Sequence, residues 1–496
     1  MTRLLLLLAL PLFPSLAAAD APPLGLNLTA VRDYASEYPF VDVFRSARSW
    51  VSQQQGGKWG TGGELALGDD GYPTRFRPGQ YATTIVLNAP GFPVGEYTLL
   101  HEGRGKLRLK GDLRVVNETP GKIVFEKGPK PNVLIDLLET DDADPLRNIR
   151  IYMPGAPTDG SVLFASRFLK RTDPFACLRF MDWMDTNGST IRQWEERPQV
   201  DDFSWSSHGV PAETMVDLAN KLQSDAWFCV PHLADDNYVR QLAELVKSRL
   251  DGGLKVYIEH SNEVWNGQFA QAKYAANQGL MEKLSRNSYQ AQLLYHARRS
   301  AKIGRIFNTV FSDEDRVVVV YGSQSVNPWV TEQVLSDPEV AAVCDAIAVA
   351  PYFGGKMGRP KDVAATLAMS LEQQVAALRE SIAENEAALR KHKRLCDQHG
   401  CDLIAYEGGQ HLVGTGGAEN NKELQALFHD LNRWPEMETL YREAIASWQQ
   451  AGGGLYVVFS SVSVPSKWGS WGMLEYDDQP ASEAPKYRAV QSLLAE

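Results

Sequence analysis

A chain of 496 residues has room for two or three domains of roughly 100–200 residues each, or for one large barrel carrying an insertion. Its net charge is -11, and loss of Arg3 with a cleaved leader would make that -12. With no basic stripe to offset this balance, nucleic acid is excluded as the expected partner.

In chain order, the first feature is Arg3 followed by the apolar run Leu4 to Phe13, with small residues around Ala17 to Ala19 before Asp20. The run is short for a membrane span and is interrupted by Pro11 and Pro14, so residues 1–19 read as a secretory signal peptide. A secreted or periplasmic location follows as an expectation, with no membrane span after cleavage. "LGLNL" (24–28) then reads as a strand, and "FVDVFRSARSW" (40–50) as the helix completing a first β/α unit over 20–55.

Residues 56–157 have a different texture. They are rich in Gly and Pro and carry period-two runs, "YATTIVLNA", "EYTLLHE", "KLRLKGDLRVV" and "GKIVFEK", which predict a small inserted antiparallel sandwich. From 158 to 496 short apolar runs alternate with long helical patterns. The runs are "ACLRFMDW", "AWFCVPHL", "KVYIEHS", "RVVVVYG", "DAIAVAPY", "DLIAYEG" and "GLYVVFS". Near-continuous apolar strands imply burial on both faces, and with "LGLNL" as the first of eight they close a (β/α)8 TIM barrel.

Cys396 and Cys401 in "LCDQHGC" are spaced to close a small disulfide loop in an oxidising compartment, whereas Cys177 and Cys229 lie in apolar runs as buried thiols. No metal-site spacing, Walker loop or dinucleotide fingerprint is present, so neither metal nor organic cofactor is expected. Asn27, Asn117 and Asn187 begin glycosylation sequons to which no function is assigned.

A barrel works at the carboxyl ends of its strands, so polar residues ending apolar runs are the candidates for chemistry. Glu263 follows the fourth strand in "IEHSNEVW", and Glu407 ends the seventh in "IAYEG". Two carboxylates facing each other across a barrel mouth suit glycoside hydrolysis by double displacement. One attacks the anomeric carbon; the other, protonated, assists the leaving oxygen.

Asn262-Glu263 and Glu407 together resemble the signature of the clan A glycoside hydrolases, the retaining (β/α)8 enzymes that include many cellulases, mannanases and xylanases. The resemblance implies that Glu263 is the acid/base, Glu407 the nucleophile and Asn262 a partner of the sugar 2-hydroxyl. Arg179 in "LRFMDW" matches the strand-two Arg that keeps the nucleophile ionised, His232 a strand-three His lining the subsite, and Tyr352 a strand-six Tyr donating to the nucleophile. The resemblance covers 24–55 and 161–496. This chain departs from the pattern with Val264 where Pro is common, Ala350 where a His is common, and no Trp in "GLYVVFSS".

Several residues admit two readings. Arg179 is either this active-site cation or a structural partner of Asp182 or Asp185. Trp265 is either a sugar-stacking platform or a buried support. Trp468 and Trp471, in the Gly-rich "KWGSWG", are the other candidates for sugar contact. The expected activity is a retaining β-glycoside hydrolase on a polysaccharide or oligosaccharide. A non-catalytic carbohydrate-binding protein and a transglycosylase on the same scaffold are the alternatives.

Overall fold

The computed structural model describes residues 22–312 and 314–496. The expected leader, 1–19, lies outside the described residues. Eight parallel strands form a closed barrel: β1 (Leu24–Asn27), β2 (Cys177–Arg179), β3 (Asp225–Val230), β4 (Val256–His260), β5 (Val317–Gly322), β6 (Ala346–Val349), β7 (Asp402–Ala405) and β8 (Tyr456–Val458). β8 pairs back onto β1 through Leu24 and Tyr456. These strands are buried on both faces because helices such as Ala212–Leu222, Asp236–Arg249, Ser288–Phe311 and Leu371–His399 wrap them, which is why the sequence shows apolar runs instead of alternation. Among the described residues no helix is long and apolar enough to cross a membrane.

The expected helix over 40–50 is not formed; a single 3-10 turn, Val43–Ser46, stands in its place. Phe40, Val41, Val43, Phe44, Ala47 and Trp50 are all buried, and so are Asp42 and Arg45. An amphipathic helix would leave one face in water, whereas this segment is covered on nearly all sides. Phe44 and Trp50 pack on Tyr72 and Phe203, and Asp42 accepts from the Ile151 and Phe44 amides. The first helix after β1 is Ser166–Thr172. The β-rich insertion therefore leaves and rejoins the barrel within the loop after β1, on the face where the strands end.

The insertion has two four-stranded antiparallel sheets. One is ordered Val51–Gln54, Gln80–Val86, Val133–Thr140, Gly105–Gly111, and the other Arg147–Tyr152, Gly95–Glu102, Lys122–Lys127, Leu113–Thr119. Val133, Ile135 and Leu137 from one sheet, and Tyr97, Leu99, Ile123 and Phe125 from the other, are buried at alternate positions.

The thiols of Cys396 and Cys401 are free, contrary to the expected bridge. Cys396 is in the last turn of Leu371–His399, and Gly400 at φ 70 turns the chain back. The Cys401 amide then bonds the Cys396 carbonyl at 3.1 Å, and the Cys401 Sγ faces the same oxygen at 3.7 Å.

Candidate active site

The centre of the barrel mouth is Arg179, the last residue of β2, fully buried. A buried guanidinium is tolerable only when its charge is balanced and its N–H groups are used. Nε and Nη2 both donate to Glu259 Oε2, at 3.1 and 2.9 Å. Nη1 donates to Asn27 Oδ1 at 3.0 Å and Glu407 Oε1 at 3.1 Å, and Nη2 donates to Asn262 Oδ1 at 2.8 Å. Every donor of the fork has an acceptor. The guanidinium also sits 5.1 Å from the Tyr406 ring centroid and 5.4 Å from that of Trp227. Of the two acids in the structural alternative, Asp185 pairs with Arg32, while buried Asp182 is stabilised by the Arg179 charge at a distance; the direct ion pairs of Arg179 are with Glu259 and Glu407.

Two of these partners carried no signal in the sequence reading. Glu259 lies within β4, 1% exposed, and its Oε2 also accepts from Trp227 Nε1 at 2.9 Å and faces Cys229 Sγ at 3.4 Å. Asn27, noted only as a sequon, is buried at the end of β1, where its Nδ2 donates to the Tyr406 carbonyl at 2.9 Å.

Glu407 follows β7 and is 6% exposed. Besides Arg179, it accepts from the Tyr352 hydroxyl at 3.0 Å on Oε2. Glu263 follows β4 with φ 44, two residues after Ser261 at φ 60. Left-handed backbone at two non-glycine residues is costly, and such strain is concentrated where a side chain must be aimed. Glu263 Oε1 accepts from the Tyr406 hydroxyl at 2.8 Å, and Oε2 from Asn266 Nδ2 at 2.9 Å. Tyr406 and Glu407 are adjacent, so β7 supplies a contact to Glu263 and the carboxylate opposite it.

Burial dominates the electrostatics. It pushes Glu407 up against the opposing pull of Arg179, with the Glu263 charge adding to the rise. Glu263 is also pushed up, chiefly by burial, with Glu259 contributing and the Asn266, Tyr406 and Arg179 interactions opposing. The donors on the two differ in kind: Glu407 receives a cation, Glu263 only a phenol and an amide. A shared negative charge is better stabilised on Glu407.

Asn262 is tied to β2 and the loop after it, accepting from Arg179 and donating from Nδ2 to Asn187 Oδ1 at 3.1 Å. Tyr352, Trp471, His411 and Phe459 form an aromatic wall beside Glu407. Trp471 lies 5.6 Å from Tyr352, 5.3 Å from His411 and 5.7 Å from Phe459, centroid to centroid. Phe459 occupies the end of β8, where the sequence lacked a Trp, and Trp471 is folded back onto it. Trp468, in contrast, is 62% exposed and touches the wall only through its carbonyl, which accepts from Trp471 Nε1 at 2.8 Å. Trp265 is partly buried against the core, its indole beside the Tyr406 hydroxyl.

His232, 5% exposed, packs edge-on to Tyr274 at 5.4 Å and lines a cavity of about 610 Å³ with Tyr295 and Arg298. Burial, aided by Arg192, lowers it to about 4, so the ring is neutral at pH 7. Among the described residues no group of His, Cys, Asp and Glu could hold a metal ion.

No family model matches the chain, and no curated protein matches it. Solved structures do. An endo-1,4-β-D-xylanase of Clostridium thermocellum, family 10, is 9% identical over 93% of this chain and 98% of that one, at a TM-score of 0.35. A Cellulomonas fimi endo-β-1,4-mannanase of family 26 is 13% identical over 69% and 68%, at 0.37. A broad-specificity endoglucanase of Clostridium acetobutylicum, family 5, is 10% identical over 68% and 91%, at 0.39. The barrel fold of this chain stands on its own closed order of eight parallel strands.

Proposed function

We propose that the protein is an exported retaining β-glycoside hydrolase acting on a polysaccharide or oligosaccharide, with Glu407 as nucleophile and Glu263 as acid/base. The observation that carries this reading is the asymmetry of the two buried carboxyls. Glu407 is held by the Arg179 guanidinium and the Tyr352 hydroxyl, and Glu263 by the neutral Tyr406 and Asn266.

In the first step a Glu407 oxygen attacks the anomeric carbon as the C–O bond to the leaving group breaks. The Glu263 proton passes to the departing oxygen. The glycosyl ester no longer carries the Glu407 charge, so the repulsion that helped keep Glu263 protonated is removed, and Glu263 becomes the base. It then takes a proton from water as that water attacks the same carbon, releasing the sugar with its configuration retained. Arg179 keeps Glu259 as counter-ion throughout, so the cation is never left unpaired when Glu407 is esterified. Asn262 is the donor for the sugar 2-hydroxyl, and Trp471 with Tyr352 the stacking wall; Trp468 and Trp265 contribute at the periphery, while His232 faces Tyr274 and a cavity lined by none of these residues.

A panel of glycans incubated with the mature protein tests this reading, with Glu407→Gln as control. Released product from the wild type and none from the variant is expected. Equal product from both would sink the assignment.

A further inference from the structure

The backbone of the segment that carries Trp471 is tied to the chain after β8, the Ser460 amide donating to the Trp471 carbonyl at 3.0 Å and the Gly472 amide to the Ser463 hydroxyl at 2.8 Å, and Ser470 just before the indole is held separately through its carbonyl. Gly469 has φ 122, and a Cβ there would lie 2.5 Å from Cε2 and Nε1 of Trp471, so the indole is folded directly over a residue that only glycine can be. The next residue, Ser470, is 3% exposed, and its carbonyl accepts two hydrogen bonds. One comes from Gln410 Nε2 at 2.8 Å, the other from Lys486 Nζ at 2.6 Å. Gln410 is 1% exposed and lies three residues beyond Glu407; its Oε1 is fixed by the Leu412 amide at 2.6 Å. Lys486 comes from the C-terminal helix Pro485–Leu494 and is 5% exposed.

A lysine ammonium is strongly hydrated in water, so burying one is unfavourable unless something specific is gained. Burial lowers Lys486 to about 7 against the favourable field of Glu475, which is itself bound by Arg433. The mechanism above makes no use of Lys486 or Gln410. Resting on the glycosidase reading of the cleft, we propose that Lys486 and Gln410 clamp the Ser470 carbonyl from two sides and so fix Trp471 as the sugar-stacking wall beside Tyr352. They are positioning residues and touch no substrate. The clamp holds in place, from the loop after β8, the Trp that the end of β8 itself lacks.

Trp471 emission gives a readout independent of turnover. It is isolated by subtracting the spectrum of each variant made in a Trp471→Phe background. Lys486→Met keeps the side-chain volume and removes the ammonium; Gln410→Met removes the other donor; Gly469→Ala drives a Cβ into the indole and serves as positive control. We expect a red shift and stronger acrylamide quenching of Trp471 in all three. In the clamp variants KM should rise about three- to tenfold with kcat within about twofold, because stacking holds substrate and transition state alike. Unchanged Trp471 emission in a folded clamp variant, while Gly469→Ala moves it, would overturn the clamp. Shifted emission with unchanged KM would overturn the stacking role. If the wild type turns over no glycan, the glycosidase reading fails, and the emission result decides the clamp by itself.

Discussion

Replacing Glu259 by Gln removes one charge from the buried centre while keeping its shape. At an effective permittivity of about 20, opposite charges about 4 Å apart attract by ~4 kcal/mol. Breaking a buried pair by removing one partner typically costs ~3–5 kcal/mol. Here Arg179 retains Glu407, and the Gln carbonyl can still accept from the guanidinium, so the loss should be nearer 2–4 kcal/mol, on the order of one buried charge-assisted hydrogen bond or slightly more. The variant should therefore melt lower at pH 7 by at least a few degrees. Its pH-rate profile carries the more specific signal. The Glu259 charge raises Glu263, so its removal moves the alkaline limb, loss of the acid proton, to lower pH. With the Arg179 field no longer divided, Glu407 ionises more readily and the acid limb moves the same way. Thermal melts by circular dichroism and kcat/KM against pH on an aryl glycoside measure both; the limbs should move down by roughly half a unit to one unit. A melt and both limbs unchanged would refute the role given to Glu259.

The wall predicts unequal tryptophans. Trp471→Ala should raise KM about tenfold or more through loss of stacking, and Trp468→Ala, at an exposed position, by less than about twofold, as measured by initial rates. The cysteines should behave as five free buried thiols: peptide mapping without reductant should find Cys396 and Cys401 separately alkylated after unfolding, and protected from the reagent before it.

The barrel was legible because burial on both faces leaves a direct trace in composition, and each apolar run from 176 to 460 contains a strand. The segment 40–50 misled for the same physical reason in reverse. Its apolar residues fall at helical spacing, but they are buried between barrel and insertion, and covering on every side lifts the constraint that makes periodicity diagnostic. Glu263, Glu407, Asn262, Arg179 and Tyr352 come together at one centre; the two glutamates were legible from their position at strand ends, and the other three only through the resemblance to clan A. Glu259 was passed over because it lies inside a strand. Yet a charge within a doubly buried strand needs a partner, and Arg179 two strands away posed the same demand, so the pair was detectable as two complementary anomalies. Nothing in "KWGSWG" distinguishes Trp468 from Trp471. That choice is made by Gly469 and by a lysine sixteen residues beyond Ser470, which only the folded chain brings together.

Rescue by azide tests the division of labour between the two glutamates most directly. Glu263→Ala should still form the glycosyl-enzyme from an activated aryl glycoside, which needs little proton assistance, and then stall for want of a base. Azide needs no base and fits the space vacated by the side chain, so it should restore turnover and yield a β-glycosyl azide, while Glu407→Ala stays inactive on every substrate. An inverted azide from Glu263→Ala, or a retained one from Glu407→Ala, would contradict the assignment.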